Sequence, residues 1–359
     1  MNNSIRQISQ VFVGSAIALS TFSIQPVIGA SLYNQIFIFG DSLSDPGNLF
    51  NLSGGTNPPP VFFEGRFSNG PVWSEHFAEA LGLEPELWIK SPDQKIQVIP
   101  SDGINFAIAG AKTDDTHISG NPLPGLRNQV DYFVNDLLGQ GNTLNNPLGV
   151  LMAGANDYFG GQSDLTIPIG NLSTEIQRLS DAGLKNILVS NLPDLGKIPL
   201  ARSFGQPASE NFTALTIAHN SLLQNSLNNL SQSNPDTNLI LFDFFSLFNN
   251  ILANPSEFGF TNITDSCTNI NLILPPDQWL PSEDPPYLNG CSKELQDQFL
   301  FFDNQHPTTE AHRFIAAEAL RTVSTPEPTI IPALGFLGMG LLALKGRPKK
   351  KEEKMVVAK

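Results

Sequence analysis

Gln35-Ile36-Phe37-Ile38-Phe39-Gly40-Asp41-Ser42-Leu43-Ser44-Asp45-Pro46-Gly47-Asn48 is the stretch from which the fold is read. Four apolar residues in a row, Ile36 to Phe39, describe a strand buried on both faces, as in a parallel sheet. The Gly, Asp and Pro that follow turn the backbone at the strand's carboxyl end. That end is where open α/β sheets keep their ligand sites. A serine there is either a helix cap or a nucleophile, and for a single serine after a strand the cap is the more common outcome. The remainder of the chain decides between the two.

Apolar runs recur downstream. Ile96 to Ile99 reads as a short strand, and Gly103 to Ala111 as a second apolar run closing in small residues. Leu148 to Met152, Ile187 to Val189, Leu239 to Phe242 and Phe299 to Phe302 read as further strands. Helical spacing fills the intervals: Trp73 to Leu81; Leu126, Val130, Phe133, Val134 and Leu137; Leu172, Ile176 and Leu179; Phe212, Leu215, Leu222 and Leu230; Phe245 to Leu252; and Pro307 to about Arg321. Strands separated by helices require right-handed crossovers, which predicts an α/β fold with a parallel sheet covered on both faces. Residues 51–70, rich in Gly, Pro and Asn, read as a surface loop. Residues 254–298 break the alternation and read as an insertion over one end of the sheet.

The chain has 359 residues, 40% of them hydrophobic and 25 of them Phe, enough for a substantial core. Its formal charge is −14, with the basic residues concentrated at the ends, so the folded portion is more acidic still. Such a surface repels phosphate backbones and argues against nucleic acid as a partner. Residues 1–30 carry Arg6, an apolar run from Val11 to Leu19 and the small pair Gly29-Ala30, the layout of a secretory signal peptide. Export fits the cysteines: only Cys267 and Cys291 occur, and in an exported chain they are expected to form one disulfide within the insertion. With no nearby His they are too few for a zinc site. After Val323 the composition changes: Thr325-Pro326-Glu327-Pro328 precedes an apolar segment to Leu344 and a basic block from Lys345. That segment would span roughly 24 Å as a helix, marginal for a bilayer.

Four polar turns carry the chemistry. Ser42 follows the first strand, Gly110 the second apolar run and Asn156 another strand, while Asp303 and His306 lie beyond the last. In a parallel sheet such turns emerge on one edge, where residues distant in sequence converge. Ester cleavage needs that inventory. A hydroxyl becomes a nucleophile when a base takes its proton, His has the pKa for the task, and a carboxylate holds the other ring nitrogen. Asp303 and His306, three apart, meet across one turn. The Ser42 and Gly110 N–H groups and the Asn156 amide would receive the oxyanion. The nearby acids have plainer readings: Asp41 braces the Ser42 turn, Asp45 and Asp157 shape theirs, and Asp114, Asp115 and His117 read as a solvated polar loop rather than a metal site.

Gly40-Asp41-Ser42-Leu43, Asn105 to Gly110, Gly154-Ala155-Asn156-Asp157 and Asp303-Asn304-Gln305-His306-Pro307 together resemble the four blocks of the GDSL esterases and lipases of the SGNH hydrolase superfamily. The resemblance runs over about residues 35 to 322, with Gly65 to Gly70 and Asp243 adding to it. Some members carry a second glycine where Ala109 stands here. The resemblance implies a three-layer α/β/α sandwich with a flavodoxin-like sheet over residues 31–323, and a catalytic set of Ser42, Gly110, Asn156 and His306. No cofactor and no metal are expected, the expected substrate is a small-molecule or lipid ester, and the chain is expected to be a monomer. A carbohydrate O-deacetylase is the nearest alternative, and a non-catalytic surface carbohydrate-binding protein the alternative from another class. Residues 324–359 resemble a PEP-CTERM sorting tail, which implies export, membrane sorting and a setting rich in extracellular polysaccharide.

Overall fold

The computed structural model describes residues 32–268, 270, 287–288 and 290–325. The signal peptide expected over 1–30 lies outside them, as does the sorting tail apart from Ser324 and Thr325. So do residues 269, 271–286 and 289 of the expected insertion.

In chain order the elements are β1 (Gln35–Gly40), α1 (Asn48–Leu52), α2 (Trp73–Ala80), β2 (Glu86–Leu87), β3 (Ile89–Ser91), β4 (Gln94–Lys95), β5 (Gly103–Asn105) and α3 (Leu126–Asp131). A π-helical turn, Tyr132–Leu137, continues α3. There follow β6 (Pro147–Met152), α4 (Ala155–Phe159), α5 (Thr166–Asp181), β7 (Asn186–Ser190), α6 (Pro199–Ser203), α7 (Gln206–Ser233), β8 (Asn238–Phe242), α8 (Phe244–Ala253), β9 (Asn262–Ser266), β10 (Phe299–Phe301) and α9 (Thr309–Ser324).

Six strands form a parallel sheet in the order β2-β5-β1-β6-β7-β8. The chain steps from β1 to β5 on one side, then crosses back to β6 on the other. The order therefore reverses at β1, and a crevice opens at the carboxyl ends of β1 and β6. Every residue of β1 is buried. Because strand side chains alternate, Phe37 and Phe39 point to one face and Ile36 and Ile38 to the other. The first pair packs with Leu126 and Val130 of α3, Leu172 and Ile176 of α5, and Leu223 of α7. The second packs with Trp73 and Phe77 of α2, Phe248 of α8 and Ile315 of α9. The result is the expected three-layer α/β/α arrangement.

Two expectations are corrected. Ile96 to Ile99 is not a strand. Its first residue still bonds backbone to backbone, the Ile96 N–H to the Trp88 carbonyl at 2.9 Å, but side chains take the Ile96 carbonyl (the Tyr132 hydroxyl at 2.7 Å) and the Ile99 N–H (Asn142 at 3.1 Å). The sheet edge belongs to β2, which pairs with β5. The second correction concerns β10, which does not join the main sheet. It pairs in parallel with β9, so the expected insertion supplies its neighbour. Further partners come from Cys267 and Thr268, whose N–H groups reach the Phe301 and Phe302 carbonyls at 3.0 and 2.9 Å, and from the returning chain, where the Thr308 N–H reaches the Leu300 carbonyl. With its ladder satisfied on these sides, β10 needs no place at the sheet edge.

Cys267 and Cys291 are joined in a disulfide across 24 positions of sequence. The bridge ties the insertion back on itself beside β10. Cys267→Ala with Cys291→Ala is expected to lower the unfolding free energy by about 3 kcal/mol, the usual scale for a loop of that size. Urea unfolding measures the effect, and a double variant with the wild-type midpoint would contradict it.

Candidate active site

The turn after β1 is built by sterics and by buried polar cross-links. Gly40 has φ +159°, and a Cβ there would stand 2.3 Å from the Met152 carbonyl oxygen, so only glycine lets β1 and β6 run paired up to the turn. Asp41 closes the turn, its carboxylate accepting from the Leu43 N–H at 3.1 Å and its carbonyl from the Ser44 N–H at 3.0 Å. Burial pushes the Asp41 carboxyl up to about 6, opposed by that N–H and by the His306 ring. The Ser44 carbonyl accepts from Asn105 Nδ2 and Ser74 Oγ, each at 2.9 Å. Asp45 gathers the N–H groups of Gly47, Asn48, Leu49 and Ala109, tying the Ser42 turn to the one that carries Gly110. Asn48 repeats the link by donating to the Asn105 and Ala107 carbonyls.

Against this turn lies the segment after β10. Ser42 Oγ is 2.8 Å from His306 Nε2, and His306 Nδ1 is 2.7 Å from Asp303 Oδ2. The other Asp303 oxygen accepts the N–H groups of Gln305 and His306, both at 2.7 Å. Asp303 is fully buried and His306 is 6% exposed. With Nδ1–H held by the carboxylate, Nε2 is left to accept from the Ser42 hydroxyl. The Phe67 ring lies 5.1 Å from the imidazole, shielding it on one side.

Three donors lie at the same edge. Among the described residues the Ser42 and Gly110 N–H groups donate to no protein acceptor. Asn156 gives one amide hydrogen to the Ala111 carbonyl at 3.0 Å, which leaves the other. Gly110 has φ +84°, and a Cβ there would meet His117 Nε2 at 2.3 Å, so glycine is required. His117 is buried rather than solvated as its loop composition suggested. Its ring is held between the Ala109 carbonyl at 2.6 Å and Ser119 Oγ at 2.8 Å. Asp157 does more than shape its turn, because it accepts the Thr113 N–H and hydroxyl at 3.0 and 2.6 Å and so binds the α4 end to the Gly110 loop. Among the described residues no group of three His, Cys, Asp or Glu side chains is arranged to hold a metal ion.

A cavity of about 60 Å³ adjoins Ser42, Asn156 and His306, walled by Met152, Phe159, Leu192, Pro193, Leu195 and Ile198. These walls come from the end of β6 and from the segments that follow β6 and β7, not from the 51–70 loop or the insertion. Phe244 and Phe248 are core residues and line no part of it. The 51–70 loop contributes Phe67, while Arg66 is engaged with Glu75 at 2.6 Å.

Two buried groups near the site were not singled out by sequence reasoning. Gln129 bonds to both backbone groups of Gly40. His219 of α7 is 2.6 Å from the Tyr158 hydroxyl, two residues beyond Asn156. Each is a polar residue on an apolar helical stripe, Gln129 between Leu126 and Val130 and His219 in register with Leu223 and Leu227. That was the available signal.

A family model described as GDSL-like Lipase/Acylhydrolase matches residues 36–319. The chain is 31% identical over 335 residues to a phosphatidylcholine-sterol acyltransferase of Aeromonas hydrophila, covering 84% of this chain and 94% of the relative. It is 30% identical over 291 residues to a thermolabile hemolysin of Vibrio parahaemolyticus serotype O3:K6 (strain RIMD 2210633), covering 80% of this chain but 63% of the hemolysin, less than two thirds of its length. A solved lipolytic protein of the G-D-S-L family from Veillonella parvula DSM 2008 superposes with a TM-score of 0.41 at 12% identity, over 81% of this chain and 98% of that one.

Burial lowers the His219 imidazole to about 4, against about 6.5 in an unfolded chain. As the pH falls, the unfolded state takes up this proton first. The stability tied to a neutral His219 is therefore fully present above about pH 6.5 and is lost towards pH 4, by about 3 kcal/mol at full extent. Urea titrations of wild type and His219→Gln between pH 7 and 4 are expected to show a shallower loss in the variant. Equal slopes would refute the assignment.

Proposed function

The chain belongs to the GDSL-like lipase/acylhydrolase family, and from that premise we propose that it is an exported serine hydrolase that cleaves carboxylic esters through an acyl-enzyme on Ser42. The observation that carries this reading is the unbroken relay from Ser42 Oγ through both nitrogens of His306 to a fully buried Asp303. In the proposed reaction Ser42 Oγ attacks the acyl carbon as His306 Nε2 takes its proton, and Asp303 stabilises the imidazolium without being protonated. The oxyanion is received by the Ser42 and Gly110 N–H groups and the free hydrogen of the Asn156 amide. His306 then protonates the departing alkoxide. A water, deprotonated by the same ring, releases the acid and restores the serine. Every step draws on side chains and backbone of this chain.

Export is supported by the disulfide, which persists in oxidising compartments, and by the signal-like layout of residues 1–30. Within the proposal, residues 31–323 are the hydrolase domain and 324–359 a PEP-CTERM-like sorting tail. Among the described residues no helix is long and apolar enough to cross a membrane.

The small cavity favours a second, narrower reading: removal of short acyl groups, as in a carbohydrate O-deacetylase. The recess of about 60 Å³ beside Ser42 is small against the roughly 300–1,000 Å³ usual for ligand clefts, and a short acyl group suits it. Lipid esters are the competing substrate, since the Aeromonas relative is a phosphatidylcholine-sterol acyltransferase.

Fluorophosphonate labelling with intact-mass detection tests the main reading. Wild type is expected to gain one adduct and Ser42→Ala none, and equal labelling of the two would overturn it. Asp303→Asn is expected to lower kcat on the order of 10⁴-fold, and Asn156→Ala by about 10² to 10³-fold. In a p-nitrophenyl ester series from acetate to palmitate, assayed beside acetylated polysaccharide, kcat/KM is expected to peak between acetate and butyrate. Phe159→Ala should move that peak to longer chains, and a wild-type maximum at palmitate would exclude the short-acyl reading.

A further inference from the structure

Gly40 stands two residues before Ser42, and its backbone is held in an unusual way. The even-numbered residues of β1 direct their polar groups towards β5 and the chain that follows it. The Ile36 N–H reaches the Asp102 carbonyl at 2.9 Å, and the Ile38 carbonyl receives the Phe106 N–H at 2.7 Å. β5 itself ends at Asn105. Beyond it the chain bends, because the Ala107 N–H turns back onto Asn105 Oδ1 at 2.9 Å. At Gly40 this departing chain still supplies one donor, the Ile108 N–H at 3.1 Å, but the Gly40 N–H goes elsewhere. It goes to Gln129 Oε1 at 2.9 Å, and Gln129 Nε2 returns a bond to the Gly40 carbonyl at 2.8 Å. Gln129, fully buried on α3 and 89 residues away, thus acts as one more rung of the sheet where β5 has peeled off.

We infer that Gln129 is a positioning residue for the nucleophile: its two-ended amide sets the Gly40 peptide groups and through them the place of Ser42 Oγ and the Ser42 N–H. This rests on the reading of Ser42 as the nucleophile. The chemistry of the contact is specific. A primary amide presents an acceptor and a donor side by side, and here the two meet the N–H and C=O of one residue. The neighbourhood leaves Gly40 little other support for its N–H, because the chain beyond Asn105 bends away and offers Gly40 only the Ile108 N–H, itself a donor. The same node reaches the second oxyanion donor, since Ile108, whose N–H is on the Gly40 carbonyl, is two residues from Gly110. Losing the amide frees the Gly40 peptide to rotate, and small misplacements of reacting groups cost rate far more than they cost substrate binding.

Gln129→Met, of matching length and apolar, separates this role from packing. The positioning role predicts a folded protein, by near-ultraviolet circular dichroism, with kcat about 10²-fold lower, KM within about twofold of wild type, and a parallel fall in the fluorophosphonate labelling rate of Ser42. Wild-type kcat in a folded Gln129→Met protein would overturn it. A second measurement needs no variant. By amide hydrogen exchange of the ¹⁵N-labelled wild type, the Gly40 N–H is expected to be protected as strongly as those of Ile36 and Ile38, and exchange at the rate of the surface turns would also overturn the inference. Ser42→Ala separates the two levels of argument. If that variant keeps ester turnover, the nucleophile reading fails whatever Gln129 does. If it is inactive and Gln129→Met is fully active, only the positioning role fails.

Discussion

The contact between Ser42 Oγ and His306 Nε2, made across 264 residues of sequence, is the constraint on which the rest of the architecture depends. One partner is fixed to the central strand of the sheet. The other lies in the segment after β10, a three-residue strand outside that sheet, and its position is set by everything that holds β10: β9, the backbone at Cys267 and Thr268, and the return through Phe302 and Thr308. The insertion that interrupts the α/β alternation is thereby part of the site's support. Phe67 closes the arrangement by packing on the imidazole from a loop that would otherwise read as surface decoration.

The carboxyl edge of the sheet poses a general difficulty. Irregular backbone is buried there, and buried backbone groups need partners. This chain meets the need with short polar side chains. Asp45, Asn48, Asn105, Gln129 and Asp157 each bond to the backbone of a neighbouring turn rather than to solvent. Asp45 illustrates the balance involved. Its burial pushes the carboxyl up to about 6, while the backbone N–H groups it accepts pull the other way. The product is a set of turns locked to one another, on which the Ser42 and Gly110 N–H groups donate to no acceptor among the described residues.

The two faces of the sheet divide the work. On the α3, α5 and α7 side, stacked aromatic rings such as Phe39 and Phe106, with centroids 5.0 Å apart, hold β1 against the segment that leads to Gly110. On the other side α2 and α9 pack together over Ile36 and Ile38, and α9 begins directly after the His306 segment. Each half of the relay is thus anchored to a helix layer as well as to a strand.

Much of this was legible in the chain itself. A continuous apolar run such as Ile36 to Phe39 admits few environments other than a doubly covered strand, and polar turns after such strands share an edge in any parallel sheet. Hence Ser42, Gly110, Asn156, Asp303 and His306 could be named from spacing and chemistry, and local rules also foresaw the Cys267–Cys291 pairing. The tertiary structure alone decided the rest. Ile96 to Ile99 has the pattern of a strand but is not one, and side chains from Tyr132 and Asn142 bond to its Ile96 carbonyl and Ile99 N–H. β10 left the main sheet because the insertion offered it a partner. Gln129 and His219 gained their roles only when a helix 89 or 61 residues away in sequence from its target came into contact with it. Sequence patterns report periodicity and residue chemistry, which are local. Which buried donor meets which acceptor depends on how whole layers pack, and that is settled only when the chain has closed on itself.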